Sequence, residues 1–397
     1  MHVACGNYGA QEIDYDRAKA DSSSYVTFEP SASGACWNQT AGITVAASYL
    51  VLQGVAYGGG IGVRQTGLVD LADLIRGSHI VVDGQSGGRF DIGYSSSDVT
   101  VENSDLGNCV ANHVAPCLMR IQGSDVSGVV VKNTKIHDVY FGSDPLCGSS
   151  GCHTNGLAAF GVNGLLLDGD SFYNNDTADV RIQDTSSTTA NQNSNVTIEN
   201  SWLGRVANGQ GVGISVDSSV PGLLVRFNSF SSAYTPGGYP GGAMVCFGDG
   251  EPLRHGGGTA CGTDASPAQI YGNLWTGSDC ASDATFAYNV VISHSPYTGT
   301  TLCGATDTLY GYGGQKRFPY SNDPTTGQPN FNITGRVWMG DNHIPVSRAK
   351  RYPRTDFHGI KRSIWRGRLD VGAVQRVKAT PARHQKRLRH RPKGKRG

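Results

Sequence analysis

The stretch DVTVENSDL, residues 98–106, recurs along the chain as a nine-residue unit. Apolar residues stand at its second and fourth positions, as Val99 and Val101, and a large apolar residue such as Leu106 closes most copies. This alternation predicts a short strand with one buried face, followed by a polar turn. The other copies are GVVVKNTKI (128–136), GLLLDGDSF (164–172), NVTIENSWL (195–203), GLLVRFNSF (222–230) and PAQIYGNLW (267–275), with weaker copies YLVLQGVAY (49–57) and HIVVDGQSG (79–87).

A second apolar strand precedes most of these units. Two or three short strands per coil, stacked in parallel with no helix between them, predict an all-β solenoid. The uneven separation of the copies argues against a propeller, whose blades need four strands in about 40–50 residues. The second strands are RFDIGYSS (89–96), CLMRIQGS (117–124), GLAAFGVN (156–163), DVRIQDTS (179–186), GISVDSSV (213–220) and AMVCFGDG (243–250). When aligned, they predict one inward column of Ile92, Ile121, Phe160, Ile182, Val216 and Phe247.

The composition fits a helix-poor globular chain with an uneven distribution of charge. Among 397 residues there are 55 Gly, and 27 Asp stand against 5 Glu, which favours turns over helix interiors. From Arg348 onward the chain holds 18 of the 33 Lys and Arg but only two acids, so the preceding part is acidic. An acidic body repels nucleic acid, and no apolar run is long enough to span a bilayer. Nucleic acid and membrane are therefore disfavoured as partners.

Ten cysteines fall into pairs that are close in sequence. This spacing predicts disulfides and an oxidising compartment, because the CxxC knuckles of a zinc site are absent. The start MHVACGNYGA shows no signal peptide, so an extracellular or cell-surface location rests on the cysteines and the completeness of the N-terminus stays open. The expected pairs are Cys5 with Cys36, Cys109 with Cys117, Cys147 with Cys152, Cys246 with Cys261, and Cys280 with Cys303.

The repeated units make the chain resemble the right-handed parallel β-helix proteins, the superfamily that includes pectate lyases and polygalacturonases. The resemblance covers roughly residues 20–375 and ends in TDFHGIKRSIWRGRLDVGAVQ (355–375), which is similar to the D-x-x-G-x-x-R … D-[IV]-G-A ending of many bacterial secreted β-helix proteins. It implies an all-β domain over residues 1–375, a single-stranded right-handed parallel β-helix with loop insertions. The basic, low-complexity stretch 376–397 predicts a disordered tail.

Some prominent polar columns have a structural explanation. Asn103, Asn133 and Asn200 occupy one position of the unit, directly after the strand. Because Asn tolerates left-handed backbone and bonds the neighbouring backbone, we expect these residues to form a structural ladder on successive coils. Glu102 and Lys132, at the adjacent outward position, predict surface pairing between coils.

The candidate site lies on the second strands, where the neighbours of the inward residues point outward. Arg120 and Gln122 would face outward on one coil, and Arg181 and Gln183 two coils later, about 10 Å away. The coil between them would present only Ala159 and Gly161. Further candidates are Asp179 and Asp184 on either side of Arg181, Asp217 on the next coil, Asp138 after the unit 128–136, and His113, His153 and Asn155, which lie near the cysteine-rich loops.

These residue types suit an acidic polysaccharide. Arginine forks bind uronate carboxylates, while amides and carboxylates bind sugar hydroxyls. β-Elimination needs a base near the proton α to the carboxylate, for which His153 or Asp179 is available, and a stabiliser of the enolate, for which Arg120 or Arg181 is available. Hydrolysis would instead need two carboxyl groups about 5–9.5 Å apart, drawn from Asp138, Asp179, Asp184 and Asp217. An outward Arg beside an Asp is also a common surface ion pair, so a structural role stays open.

The chain departs from the characterised families at several motifs. Polygalacturonases carry an Asp-Asp pair and an Arg-Ile-Lys stretch, whereas this chain has no Asp-Asp and offers Arg181-Ile182-Gln183. The HTNG motif, residues 153–156, is similar to an H-T-D-G-[IL] element of uncharacterised β-helix proteins, with Asn155 in place of the acid. Pectate lyases typically bind Ca²⁺, which stays open as a cofactor here, although no compact cluster supplies the six to eight oxygens it requires.

We therefore expect a secreted, monomeric, carbohydrate-active protein that cleaves an extracellular acidic polysaccharide by β-elimination or hydrolysis. The alternative is a non-catalytic glycan-binding protein of the surface or cell wall, whose basic tail contacts anionic wall polymers. Because this scaffold hosts both activities, the fold by itself does not separate them.

Overall fold

A computed structural model describes most of the repeated region and short segments after it. In this part of the chain no helix has the length and apolarity needed to cross a membrane. The described residues are 1–14, 24–33, 36–57, 65–66, 72–93, 95–110, 117–123, 125–140, 155–175, 178–183, 192–204, 212–216, 219–230, 245–247, 268–275, 280, 284–292, 302–310, 321–322, 329–330, 344–345, 352–357, 359, 361–362, 364, 368–369 and 372.

Three long parallel sheets form the solenoid, and the central coils contribute a strand to each of them in turn. Sheet 1 has the order β1 (His2–Val3), β4 (Val26–Pro30), β7 (Leu50–Gln53), β11 (Ile80–Asp83), β13 (Val99–Glu102), β16 (Ser127–Lys132), β19 (Asn163–Asp168), β22 (Ser194–Glu199), β25 (Leu224–Arg226), β28 (Gln269–Tyr271) and β30 (Thr285–Ala287). Sheet 2 has the order β3 (Gln11–Ile13), β6 (Ile43–Val45), β10 (Ala72–Ile75), β12 (Arg89–Gly93), β15 (Cys117–Gln122), β18 (Asn155–Phe160), β21 (Ala178–Gln183), β24 (Val212–Val216) and β27 (Val245–Phe247). Sheet 3 has the order β9 (Gln65–Thr66), β14 (Asp105–Val110), β17 (Lys135–Tyr140), β20 (Ser171–Asn175), β23 (Trp202–Leu203), β26 (Ser229–Phe230), β29 (Leu274–Trp275), β31 (Val290–Ile292) and β32 (Thr308–Tyr310).

Smaller sheets complete the described strands. A three-stranded parallel sheet lies in the first coils, and two antiparallel pairs lie in the C-terminal part. Their strands are β2 (Gly6–Tyr8), β5 (Trp37–Gln39) and β8 (Val55–Tyr57), then β33 (Ser321–Asn322) with β34 (Pro329–Asn330), and β35 (Ile344–Pro345) with β36 (Arg368–Leu369). The predicted all-β solenoid of parallel strands is confirmed.

Left-handed residues bracket the sheet 1 strand of each unit, five residues apart. The first position has positive φ in seven of the copies, and the sixth position has it in all eight. The sixth position includes Asn103, Asn133 and Asn200 with φ of 51°, 50° and 53°, which confirms the left-handed conformation expected there. Two bends at fixed spacing explain why the nine-residue unit keeps its length while the loops elsewhere in the coil vary.

The ladder of polar side chains runs one position after these asparagines, which corrects the expected location. The backbone N–H of each rung donates to the side-chain oxygen of the next rung at 2.9–3.4 Å. All of the rungs are buried. The rungs are Gln85, Ser104, Thr134, Asp170, Ser201, Asn228, Asn273, Asn289 and Asp307. A buried side chain satisfies the amide that the bend removes from sheet pairing, whereas Asn103 and Asn200 bond Asp83 and Asp168 of the preceding coil.

The core is a single column of apolar side chains, to which the second and fourth positions of the units contribute. Val99 and Val101 are fully buried, as expected, and Glu102 pairs with Lys132 at 2.5 Å on the outside. The inward column of sheet 2 differs from the prediction at one coil. Ala159, not Phe160, lies between Ile121 and Ile182 in the register of β15, β18 and β21. Phe160 therefore faces outward, and Ala159 is the buried member of the column.

Two of the five predicted disulfides are present. Cys5 is bonded to Cys36 in the first coils, and Cys280 is bonded to Cys303 in the last ones. These bonds fit the predicted oxidising compartment. The other three predicted pairs, Cys109 with Cys117, Cys147 with Cys152 and Cys246 with Cys261, involve side chains outside the described residues.

The C-terminal motif packs on the side of the solenoid. Arg362 donates to Asn200 Oδ1 at 2.6 Å and to the carbonyl of Gly372 at 3.0 Å, and its guanidinium lies 4.7 Å from the ring centroid of Phe227. The amide of Gly372 donates to the carbonyl of Gly272 at 2.7 Å. The arginine and the second glycine of the ending thus contact the left-handed corner of three successive coils.

Candidate functional site

The outward face of sheet 2 brings the two predicted arginines together. The register of β12, β15, β18, β21 and β24 aligns Asp91, Arg120, Ala158, Arg181 and Ser215 in one column across the strands. Adjacent strands lie about 4.8 Å apart, so the backbones at Arg120 and Arg181 are separated by about 10 Å, with one alanine between them. The predicted spacing holds, but the intervening residue is Ala158 and not Ala159.

An ion-pair network holds the first arginine. Arg120 binds Asp91 through two nitrogens, with Nε to Oδ1 at 3.1 Å, and Arg89 contacts the same carboxylate at 3.2 Å. Arg89 is almost completely buried, while the Arg120 side chain is 31 % exposed. Two arginines thus share the carboxylate of Asp91 at this end of the column. Arg89 and Asp91 are not among the predicted site residues, although their alternation with inward Ile92 places them on the outward face.

Arg181 lies deeper than a surface ion pair. Only 7 % of the residue is exposed, and its neighbours across the strands are Ala158 and Ser215, which are both buried. Small neighbours allow the long side chain to lie along the sheet surface. Arg181 therefore places a guanidinium close against the outward face of sheet 2.

A second outward column lies two residues further along the same strands. It aligns Gln122, Phe160 and Gln183, so the aromatic ring is flanked on each side by an amide side chain. Gln122 is exposed, and the other two residues are partly exposed. This column contains both of the predicted glutamines, and the outward position of Phe160 adds an aromatic residue that sequence reasoning had placed in the core.

Asp179 and Asn155 lie at the corner where sheet 3 passes into sheet 2. Asp179 Oδ1 accepts a hydrogen bond from Asn175 Nδ2 at 2.9 Å, and the residue has no exposed surface. Burial raises the pKa of Asp179 well above its usual value, against the effect of this hydrogen bond. Asn155 is also buried and pairs in register with Ala178. A fully buried acid with a raised pKa favours a structural role for Asp179 over that of a base acting on a polymer.

Asp138 is on sheet 3 and belongs to a separate cluster. His137 is held by Asp138 through Nδ1 at 2.5 Å and by Asp105 through Nε2 at 2.7 Å, and its ring stacks on Tyr173 at 4.5 Å. Asn174 donates to the other oxygen of Asp138 at 2.9 Å. The structure therefore does not bring Asp138 to the arginine column, and its oxygens bind protein groups.

The two carboxylates hold His137 as a cation. Burial by itself opposes the charge, but the hydrogen bonds to Asp105 and Asp138 outweigh it and raise the pKa of His137. Burial by itself would raise the pKa of Asp105, but the contacts of this carboxylate with His137 and Lys135 lower it. Because both ring nitrogens are engaged, this imidazole has no free lone pair with which to act as a base. Gly107 packs against the ring, where a β-carbon would come within 2.3 Å of it.

Four predicted site residues, His113, His153, Asp184 and Asp217, lie outside the described residues. Within the described ranges, no three His, Cys, Asp or Glu side chains are grouped so that they could hold a metal ion.

Two solved structures show a low similarity to this chain. The solved complex of XylC with xylose is 9 % identical and has a TM-score of 0.33; the match covers 85 % of this chain and 66 % of XylC, just under two thirds of its length. The A-module of the mannuronan C-5 epimerase AlgE4 from Azotobacter vinelandii is 13 % identical with a TM-score of 0.29, and the match covers 78 % and 90 % of the two chains. At these values neither protein's substrate is transferred to this chain. A comparison with curated proteins found no match.

The family assignment rests on the coils that carry the candidate site. The model of the right-handed beta helix region matches residues 75–274, which is half of the chain. The matched range includes β12, β15, β18, β21 and β24, whose outward residues form the arginine column. The chain is a member of the right-handed beta helix family.

Proposed function

We propose that the protein is secreted and cleaves an acidic polysaccharide by β-elimination on the outward face of sheet 2. One observation carries the proposal: Arg120 and Arg181 lie two strands apart in one column, with a small residue between them. The strand spacing of about 4.8 Å is close to the length of one sugar residue in an extended chain. Arg120 and Arg181, about 10 Å apart, therefore lie about two sugar residues apart, which suits the regularly repeated carboxylates of a polyuronate.

The arginines and the proposed base have separate tasks in this reaction. The base removes the proton on the carbon next to the carboxylate, the bond to the leaving oxygen breaks, a carbon–carbon double bond forms, and the leaving oxygen takes up a proton. Arg120 and Arg181 stabilise the negative charge that develops on the carboxylate in the transition state. Asp91 and Arg89 orient Arg120 through the ion pairs between them. His153 is the residue that we propose as the base, since Asp179 is buried.

The described carboxyl groups support hydrolysis less well than the described arginines support elimination. Asp91 and Asp179 are on strands three apart, so about 14 Å separates their strands, which exceeds the roughly 9.5 Å that glycosidases use. Asp91 is also bound by two arginines and Asp179 is buried. Hydrolysis would require Asp184 or Asp217, and both are included in the test.

The test is incubation of the oxidatively folded protein, with and without Ca²⁺, with a panel of acidic and neutral polysaccharides. We expect ultraviolet absorbance from unsaturated ends to rise together with reducing ends on an acidic polymer. Arg181→Ala should lower turnover by roughly 10²–10³-fold, as expected for removal of one transition-state donor, with His153→Ala as a second variant. Lys361→Ala, which removes an exposed cation outside the arginine column, is the control.

Other outcomes would contradict the proposal in different ways. Reducing ends without ultraviolet absorbance would replace elimination by hydrolysis, and Asp184→Asn and Asp217→Asn would then be the variants to compare. Retention of an acidic polymer without any cleavage would favour the non-catalytic glycan-binding protein. If the protein neither cleaved nor retained any polymer of the panel, both functions would be excluded for those polymers.

A further inference from the structure

The second outward column of sheet 2 has a composition that core packing does not explain. Phe160 stands between Gln122 and Gln183 at the spacing of adjacent strands, about 4.8 Å on each side. The ring is partly exposed, while its neighbour Ala159 fills the buried position between Ile121 and Ile182. The larger apolar residue of this pair is therefore outside the core and the smaller one inside, which is the reverse of what burial alone would favour.

The residues around the ring have the chemistry of a sugar site. A pyranose presents C–H groups on its faces and hydroxyls around its edge, so it binds where an apolar aromatic surface is flanked by groups that both donate and accept hydrogen bonds. A glutamine amide offers two donors and one acceptor oxygen, and here one stands on each side of the ring. Phe160 has no polar atom of its own, so the hydrogen bonding falls to the two amides.

The neighbouring column adds a charge at a defined distance. Ala158 precedes Phe160 by two residues on β18, a separation of about 6.6 Å along the strand, and Arg120 and Arg181 flank Ala158. A sugar ring lying over Phe160 would thus direct a carboxylate substituent toward the arginines. The two columns together are wide enough for one sugar ring and its carboxylate.

We propose that Phe160, Gln122 and Gln183 form a stacking subsite for one hexuronate ring of a glycan chain that crosses the strands of sheet 2. The choice of a hexuronate rests on the proposed function, while stacking of the ring on Phe160 does not depend on cleavage.

The experiment is titration calorimetry of the folded chain with hexasaccharides of galacturonate, of mannuronate and of neutral β-glucan. We expect at least one uronate hexasaccharide to bind, and Phe160→Ala to weaken its Kd by about tenfold, which is the effect of one aromatic contact. Phe160→Tyr keeps the ring and should stay within about threefold of the parent protein. Tyr25→Ala removes an exposed aromatic residue from another part of the solenoid and should leave the Kd unchanged.

The results separate the subsite from the reaction. An unchanged Kd for Phe160→Ala, equal loss for Phe160→Tyr, or failure of all three hexasaccharides to bind would overturn the subsite. If Phe160→Ala weakens binding but no polymer is cleaved, the subsite stands and β-elimination fails. If a polymer is cleaved with a KM that Phe160→Ala does not change, the reaction stands and the subsite fails.

Discussion

Asp170 occupies a rung of the internal ladder that asparagine fills in three later coils. Its Oδ1 accepts the amide of Thr134 at 2.9 Å, but its Oδ2 is buried without a hydrogen-bond partner. Both polar atoms of the Asn228 side chain are satisfied. Its Oδ1 accepts a hydrogen bond from a backbone amide, and its Nδ2 donates to the carbonyl of Ile198 at 2.8 Å. A carboxyl group at this position therefore has only one of its two polar atoms in a hydrogen bond, whereas an amide has both.

We expect Asp170 to lower the free energy of unfolding as the pH rises, because its carboxyl group becomes charged. Burial raises its pKa well above the usual value, in spite of the hydrogen bond from the Thr134 amide. The folded state then holds the proton more tightly than the unfolded state, so stability is highest below the unfolded pKa of about 3.9 and falls as the pH increases toward the folded pKa. We predict that Asp170→Asn increases the free energy of unfolding at pH 7 by about 1–2 kcal/mol, measured by denaturant titration.

The reverse substitution is the matched control. Asn228→Asp should destabilise the protein at pH 7, because it places a carboxyl in a rung whose amide now accepts one hydrogen bond and donates two. The advantage of Asp170→Asn over the parent protein should shrink below about pH 4, where Asp170 is neutral in both states. A variant that is less stable than the parent protein at every pH would contradict the half-satisfied rung.

Single strands of this solenoid are too short to be stable alone, so their stability depends on contacts between elements. The C-terminal ending joins the sheet 1 corner through Arg362, whose Nε also donates to the carbonyl of Thr355 at 3.3 Å. Asn200 is buried beneath this contact, and Phe227 supplies the ring on which the guanidinium lies. The contact joins segments that are 162 residues apart in sequence.

We predict that Arg362→Ala lowers the free energy of unfolding by about 2–4 kcal/mol. The change removes charge-assisted hydrogen bonds and a cation–π contact, and it leaves the buried Asn200 oxygen without this donor. Arg362→Lys should recover only part of the loss, because an ammonium lacks the planar fork. Denaturant titration measures both variants, with the exposed Arg354→Ala as the control. If Arg362→Ala unfolded at the same denaturant concentration as the parent protein, the segment would not stabilise the solenoid through this residue.

Across the whole molecule, stability depends on each coil having a neighbour on both sides. The two described disulfides lie near opposite ends of the described sheets, Cys5–Cys36 in the first described coils and Cys280–Cys303 in the last described ones. In the chain-entropy description, closing loops of 31 and 23 residues contributes about 3–4 kcal/mol each. The disulfides therefore add a covalent link near each end of the described sheets.

We predict that removing one disulfide loosens only its own end. In the double substitution Cys5→Ser and Cys36→Ser, amide hydrogens of β4 and β5 should exchange faster, while those of β16 and β19 keep their protection. Cys280→Ser with Cys303→Ser should accelerate exchange in β30 and leave β5 unchanged. Hydrogen exchange followed by mass spectrometry measures both. Equal acceleration in the central strands would mean that the solenoid unfolds as one cooperative unit.

The local pattern was enough to predict the coils, since strand alternation and bends depend on neighbours a few residues away. Val99 and Val101 lie in the core as the unit predicts, and the sixth position is left-handed as Asn103 indicates. The spacing of Arg120 and Arg181 followed from the same alignment. Cys5–Cys36 and Cys280–Cys303 could also be paired from sequence, because each pair closes a short loop.

Only the tertiary structure decided which way the run Ala158–Phe160 faces and where the buried acids lie. Apolar residues fill both faces of that run, so alternation has no contrast to follow there, and the register with Ile121 and Ile182 places Ala159 inside. Asp179 follows the alternation of its strand, yet the corner buries it against Asn175. A sequence pattern determines what a strand is, because that depends on bonded neighbours; the neighbouring coils decide what each outward side chain meets, because those contacts join residues about 30 positions apart.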